Sequence, residues 1–271
     1  MAVATSTGVL ESLPGRPFLQ AVTINTEPRG EFARFFLRAE QLLFDEGISV
    51  RSVEPRTLVE VNEANRDSWP PLFGAMDYRK QPITADDMST LVGYDRDGMA
   101  VATTAVRRLD YSNTNAFDEL TSLRLIFGDK AEEMRAIAAF ELTAPSAPRI
   151  TGRILYHGGV WVHPRYRKHG LTRIMPKLNR YFALSNRTYD YEIAMASAAL
   201  LKPHVAKSYS VEASEPYYAY LEHGQKIYDG VFNWSSRDWI IATLKKDLAA
   251  MEDADASSDV GRGEQHAART A

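Results

Sequence analysis

The chain contains no cysteine. That absence excludes disulfides, thiol nucleophiles and thiolate metal sites together, and it suits a reducing compartment, so a cytoplasmic protein is expected. Long apolar runs are missing too. No stretch approaches the roughly 20 residues that span a bilayer. The N-terminal "MAVATSTGVLESLPGRPF" lacks a basic start followed by an apolar core, so neither a membrane span nor a secretory signal is expected. Large net charge is absent as well: a formal charge of -3 over 271 residues argues against general attraction to nucleic acid and requires any anion site to be local. The sequence holds neither a G-x-S-x-G elbow nor a P-loop lysine motif.

What is present is a chain that is 45% hydrophobic, enough for one large domain. Phe32, Phe35, Phe36, Ala39, Leu42 and Leu43 have helical spacing, ended by Gly47. "ISVRSVE" alternates as a strand, and Pro55 opens a helix through Leu58, Val61 and Ala64. Two β-rich runs flank Asp95-Arg96-Asp97-Gly98 as a hairpin. Residues 111–150 read as a helical, polar insertion. "ILYHGGVWV" is a strand interrupted by Gly158 and Gly159, and a helix face follows through Leu171, Met175, Leu178 and Phe182. "YEIAMASA" is a strand, "KPHVAKSY" a short helix, and "YYAYLEHGQKIYDGVF" a second hairpin turning near His223. Ser235 and Asp238 form a capping box for a helix carrying Ile240, Leu244 and Leu248. The expectation is one mixed α/β (α+β) domain over 29–250. A partly ordered extension precedes it at 1–28, and a disordered tail follows at 251–271.

The chemistry is concentrated in "VWVHPRYRKHGLTR", residues 160–173. A strand ends at a proline, cationic side chains crowd around Gly170, and a helix begins. The first N–H groups of a helix lack intrahelical partners, and its dipole adds partial positive charge there. Gly170 leaves the backbone accessible, and Arg167, Lys168 and Arg173 add full charges. Phosphate oxygens fit such a loop. A divalent metal does not, because the cations would repel it.

From Val162 to Thr172 the stretch also resembles the acyl-CoA pyrophosphate loop of the GNAT N-acetyltransferase superfamily, with Arg167, Gly170 and Thr172 at the three defining positions. Threonine departs from the usual Gly or Ala at the last of them. The order of elements extends the resemblance over roughly residues 48–232. The resemblance implies a mixed, mostly antiparallel sheet with splayed central strands flanked by helices. It also implies acetyl-CoA or another acyl-CoA as co-substrate, with no metal. The diphosphate would lie on Arg167, Lys168, His169, Gly170, Leu171 and Thr172, and the pantetheine arm against Val160, Trp161 and Val162. The family's tyrosine, in the pattern N-x-x-A-x-x-x-Y, falls on Tyr209 as general acid; Lys202 and Val205 stand at the Asn and Ala places. Tyr156 occupies the family's base position, and His157 beside it is the other candidate base. The implied activity is N-acyl transfer to an amine, small molecule or peptide, by direct attack in a ternary complex. The alternatives are a CoA-binding GNAT-fold protein without catalysis and an enzyme for longer acyl donors. No nucleic acid or membrane partner is expected; a homodimer is the one assembly allowed for.

Overall fold

The structure is a computed structural model that describes residues 11–197 and 209–252. Residues 1–10, the 253–271 part of the expected tail, and Lys202 and Val205 of the expected short helix lie outside the described residues. Nine strands form one sheet: β1 (Arg16–Pro17), β2 (Ser49–Val53), β3 (Met88–Tyr94), β4 (Ala100–Tyr111), β5 (Ala138–Leu142), β6 (Gly152–Val162), β7 (Tyr191–Ser197), β8 (Ala213–Glu222) and β9 (Gln225–Ser236). Their spatial order is β1-β2-β3-β4-β6-β7-β9-β8-β5. Every pairing is antiparallel except β6 with β7. The helices of six residues or more are α1 (Arg29–Asp45), α2 (Pro55–Ala64), α3 (Ala116–Thr121), α4 (Leu171–Asn186) and α5 (237–252).

Strand alternation sends side chains to two separate cores. On one face Phe32, Phe35 and Phe36 of α1 pack with Leu178 and Tyr181 of α4 and with Ile240 and Leu244 of α5. On the other face Leu58 of α2, Leu120 of α3 and Phe127 pack on Ile154, Tyr156 and Phe232 of the sheet. β3 is buried along its whole length, Ser89 and Thr90 included, because both faces of the sheet are covered there.

Three expectations need correcting. The 111–150 insertion is not helical throughout: it ends in β5, which pairs with β8 at the sheet edge. "AAFEL" looks helical because of its alanines, but alternate residues are buried. Residues 11–28 contribute to the core, since Phe18 is fully buried against Phe36 and Phe182. The cap of α5 lies one residue later than expected. Ser235 Oγ accepts from the Glu212 amide, and Ser236 Oγ accepts from the Trp239 amide instead. Pro176 is the sixth residue of α4 and removes one backbone hydrogen bond in its second turn.

β6 carries a bulge. Thr103 faces Trp161 while Ala105 faces Gly158, so β6 holds one residue more than β4 over this span. Gly159 takes φ +59° there, and its carbonyl accepts from Thr103 Oγ1 at 2.7 Å. An added Cβ would lie 3.1 Å from Ala105 Cβ. Gly170 has a similar φ of +74° but open space around it. Gly170→Ala is therefore expected to cost ~1 kcal/mol from conformation alone, and Gly159→Ala about 2 kcal/mol or more from conformation plus crowding. Urea unfolding midpoints check this ordering.

Candidate functional site

β6 and β7 pair in parallel from Ile154/Tyr191 to His157/Ala194 and no further. β7 continues to Ser197 along β9, and β6 continues to Val162 along β4. Two neighbours thus separate in the middle of a sheet, which leaves the facing edge of β6 beyond His157 without a strand partner. A cavity of about 200 Å³ occupies the gap. Its walls include Gly158, Gly159 and Val160 of β6, Ala194, Met195 and Ala196 of β7, and Tyr209. The chain leaving β6 passes through the basic loop directly into α4. This arrangement is consistent with the GNAT fold. The architecture implied by the sequence resemblance holds: a mostly antiparallel sheet, splayed centre and flanking helices.

Among solved structures, the chain is similar to Arabidopsis thaliana NAA60 in complex with acetyl-CoA. That likeness has a TM-score of 0.45 at 13% identity and covers 70% of this chain and 99% of that one. It is also similar to a spermidine N-acetyltransferase, SpeG, from Vibrio cholerae, with a TM-score of 0.40 and 10% identity over 72% and 97% of the two chains. No protein-family model matches the sequence, and no curated protein matches it. Likeness at this level leaves the chemistry to be read from this chain's own residues.

The loop has the features its sequence promised. Pro164–Tyr166 forms a single 3-10 turn, and Lys168 and Gly170 both take positive φ before α4 begins at Leu171. The backbone N–H groups of Lys168, Gly170, Leu171 and Thr172 have no protein acceptor among the described residues. Arg165, Arg167, Lys168 and Arg173 are exposed, and none of them forms an ion pair among the described residues. His169 is partly committed, with Nδ1 3.0 Å from Glu46 Oε2. Tyr166 is anchored through its hydroxyl, which donates to Asp95 Oδ2 at 2.7 Å. Orphan amides, left-handed backbone and free cations fit an anionic group such as a diphosphate. Beside Gly170 and Arg173, a groove of about 510 Å³ runs between α1, α4 and α5 and includes Arg38 and Lys177.

Of the three expected arm positions, Val160 lines the cavity. Trp161 enters one core, stacked on Trp69 with centroids 5.4 Å apart, and Val162 enters the other. Tyr209 also lines the cavity, and burial raises its phenol pKa. Tyr156 and His157 point to opposite faces, because the bulge begins only after them. Tyr156 lies in the core with α2 and α3, where burial holds its phenol well above the usual value.

His157 lines the cavity but belongs to a buried polar chain. Its Nδ1 is 3.2 Å from Glu192 Oε1 and its Nε2 is 3.0 Å from Thr104 Oγ1. Arg180 of α4 grips Glu192 with two bonds, Nε to Oε2 at 2.7 Å and Nη2 to Oε1 at 2.8 Å. It also donates to the carbonyls of Tyr209 and Ser210, each at 3.1 Å. Burial pushes the Glu192 carboxyl up, but the Arg180 charge and the His157 hydrogen bond outweigh it and hold the group down at about 2. With Glu192 ionised, Nδ1 donates to it and Nε2 accepts the Thr104 hydroxyl proton. Both ring nitrogens are then occupied, and the imidazole has none left for an acceptor amine.

Sequence reasoning missed Arg180, Glu192 and Thr104. The available signal was a single charge inside each of two apolar segments, "LNRYFAL" and "YEIAMAS". Among the described residues no group of side chains suits a metal ion.

The Arg180–Glu192 pair yields a signed expectation. A carboxyl depressed from 4.5 to about 2 in the folded state contributes stability above its unfolded pKa and loses it as pH falls through the folded one. Acid titration followed by circular dichroism should show destabilisation between those values, on the order of 3 kcal/mol by linkage, and Glu192→Gln should flatten it. Arg180→Ala strands a buried carboxylate and is expected to cost about 3–5 kcal/mol.

Proposed function

We propose that this protein transfers an acyl group, acetyl in the first instance, from coenzyme A to an amine. The observation that carries this reading is the alignment of two features. A loop of unpartnered amides and cations without ion pairs among the described residues lies at one end of β6, and a gap with a tyrosine in its wall lies along the same strand. The loop would take the diphosphate, and the groove beside Gly170 and Arg173 offers room for the nucleotide. The unpaired edge of β6 offers backbone hydrogen bonds to an amide-bearing arm. Absence of cysteine fits direct attack, since no thiol is present to carry the acyl group.

In the transfer the amine nitrogen attacks the thioester carbonyl, the new C–N bond forms and the C–S bond breaks. Tyr209 donates its phenolic proton to the departing sulfur, and its raised pKa keeps that proton in place to higher pH. The amine's own proton leaves through water, because His157 is fully bonded to Glu192 and Thr104. His157 is thereby recast from base to positioning residue. The same observation favours a second reading, a CoA-binding protein without turnover, and thiol release from acetyl-CoA with a panel of amines separates the two.

Arg167→Ala is expected to weaken CoA binding by about 1–3 kcal/mol, as loss of a charge-assisted contact should. Isothermal titration calorimetry reads this directly, and an unchanged dissociation constant contradicts the loop assignment. Tyr209→Phe should leave CoA affinity intact and lower turnover by about a hundredfold. Turnover that tracks the acceptor amine's own pKa, rather than an enzyme group, is expected if water takes the proton.

A further inference from the structure

We propose that the acceptor is an amine bearing an apolar, ring-sized group, seated on an aromatic shelf formed by Trp69, Pro71, Leu72 and Phe73. This deepens the acyl-transfer reading and rests on it. The four residues lie in the connection between α2 and β3 and line the cavity in the splayed gap. Trp69 belongs to the core on the α2 and α3 face, and Leu72 and Phe73 pack against it. The basic loop leads instead into α4, on the opposite face. An arm anchored at the loop therefore enters from the α4 side, and an attacking amine has the shelf side left to it.

Two properties of the shelf decide what it accepts. It is braced before any ligand arrives. Trp69 stacks on Trp161 with planes 9° apart, Trp161 Nε1 donates to Ser68 Oγ at 3.1 Å, and Tyr228 Oη donates to the Pro71 carbonyl at 2.9 Å. Phe73 meets the rings of Tyr220 and Tyr228 edge-on. A wall already ordered loses little entropy on binding a flat apolar group.

Among its described lining residues the cavity also offers no free carboxylate. Glu192 is the sole acid among its described lining residues, and both its oxygens are held by Arg180. Asn233 and Ser214, also in the lining, bond each other. Glu215, nearby in β8, is engaged by Ser146 and Trp234. A second ammonium on the acceptor would be desolvated there without a counter-charge.

The test uses the full chain saturated with CoA and titrates phenylethylamine and spermidine in parallel by calorimetry. Phenylethylamine is expected to bind about tenfold tighter or more. Leu72→Asp, at a partly buried wall position, should reverse the order by supplying the missing carboxylate. Should that variant fail to fold, the wild-type ranking still decides. Spermidine binding equal or tighter, or binding of neither amine, overturns the proposal. So does displacement of phenylethylamine when octanoyl-CoA replaces CoA, because the shelf would then belong to the acyl chain. Phenylethylamine bound without thiol release from acetyl-CoA upholds the shelf and refutes the transfer. Thiol release that prefers spermidine does the reverse.

Discussion

Two adjacent strands of a continuous sheet stop pairing at His157 and Ala194, and a buried polar chain fixes where they stop. Glu192 stands one turn of the pleat before the divergence on β7, His157 at the divergence on β6, and Thr104 on β4. Arg180 enters from α4 and ties all three, directly or through Glu192, to the backbone at Tyr209 and Ser210. Four segments distant in sequence share one hydrogen-bonded unit. Such a unit adds little net stability compared with apolar packing, yet breaking it is costly. Its structural effect is to hold the closed part of the sheet shut so that the open part keeps a fixed shape.

The two faces of the gap then differ in kind. Toward α4 the neighbouring features are polar: orphan amides, unpaired cations and a helix start. Toward α2 they are apolar and aromatic, stacked and braced. A protein with net negative charge can concentrate positive potential in this way, because Arg165, Arg167, Lys168 and Arg173 form no ion pair among the described residues. The bulge at Gly159 allows both arrangements by turning β6 out of register with β4 without ending that pairing.

Much of this was legible in the sequence. The loop was found from local chemistry alone, since proline, clustered cations, glycine and a helix pattern occur within fourteen consecutive residues, 160–173. The glycine pair signalled the bulge, and both hairpins announced their turns. Long-range events were not legible. β5 was hidden because alanine-rich "AAFEL" gains strand character only from its partner β8. The role of His157 could not be read because its occupancy depends on Thr104 and Glu192, which are remote in sequence. The shelf was invisible for the same reason: "WPPLF" reads as loop, and only contact with Trp161 and Tyr228 gives it rigidity.

The most direct measurement is a coenzyme A titration followed by backbone amide spectra of isotope-labelled protein. The signals of Lys168, Gly170, Leu171 and Thr172, whose N–H groups lack protein acceptors, should move most and saturate together. If those four amides stay unchanged at saturating coenzyme A, the loop holds no diphosphate and the proposed transfer has no donor site.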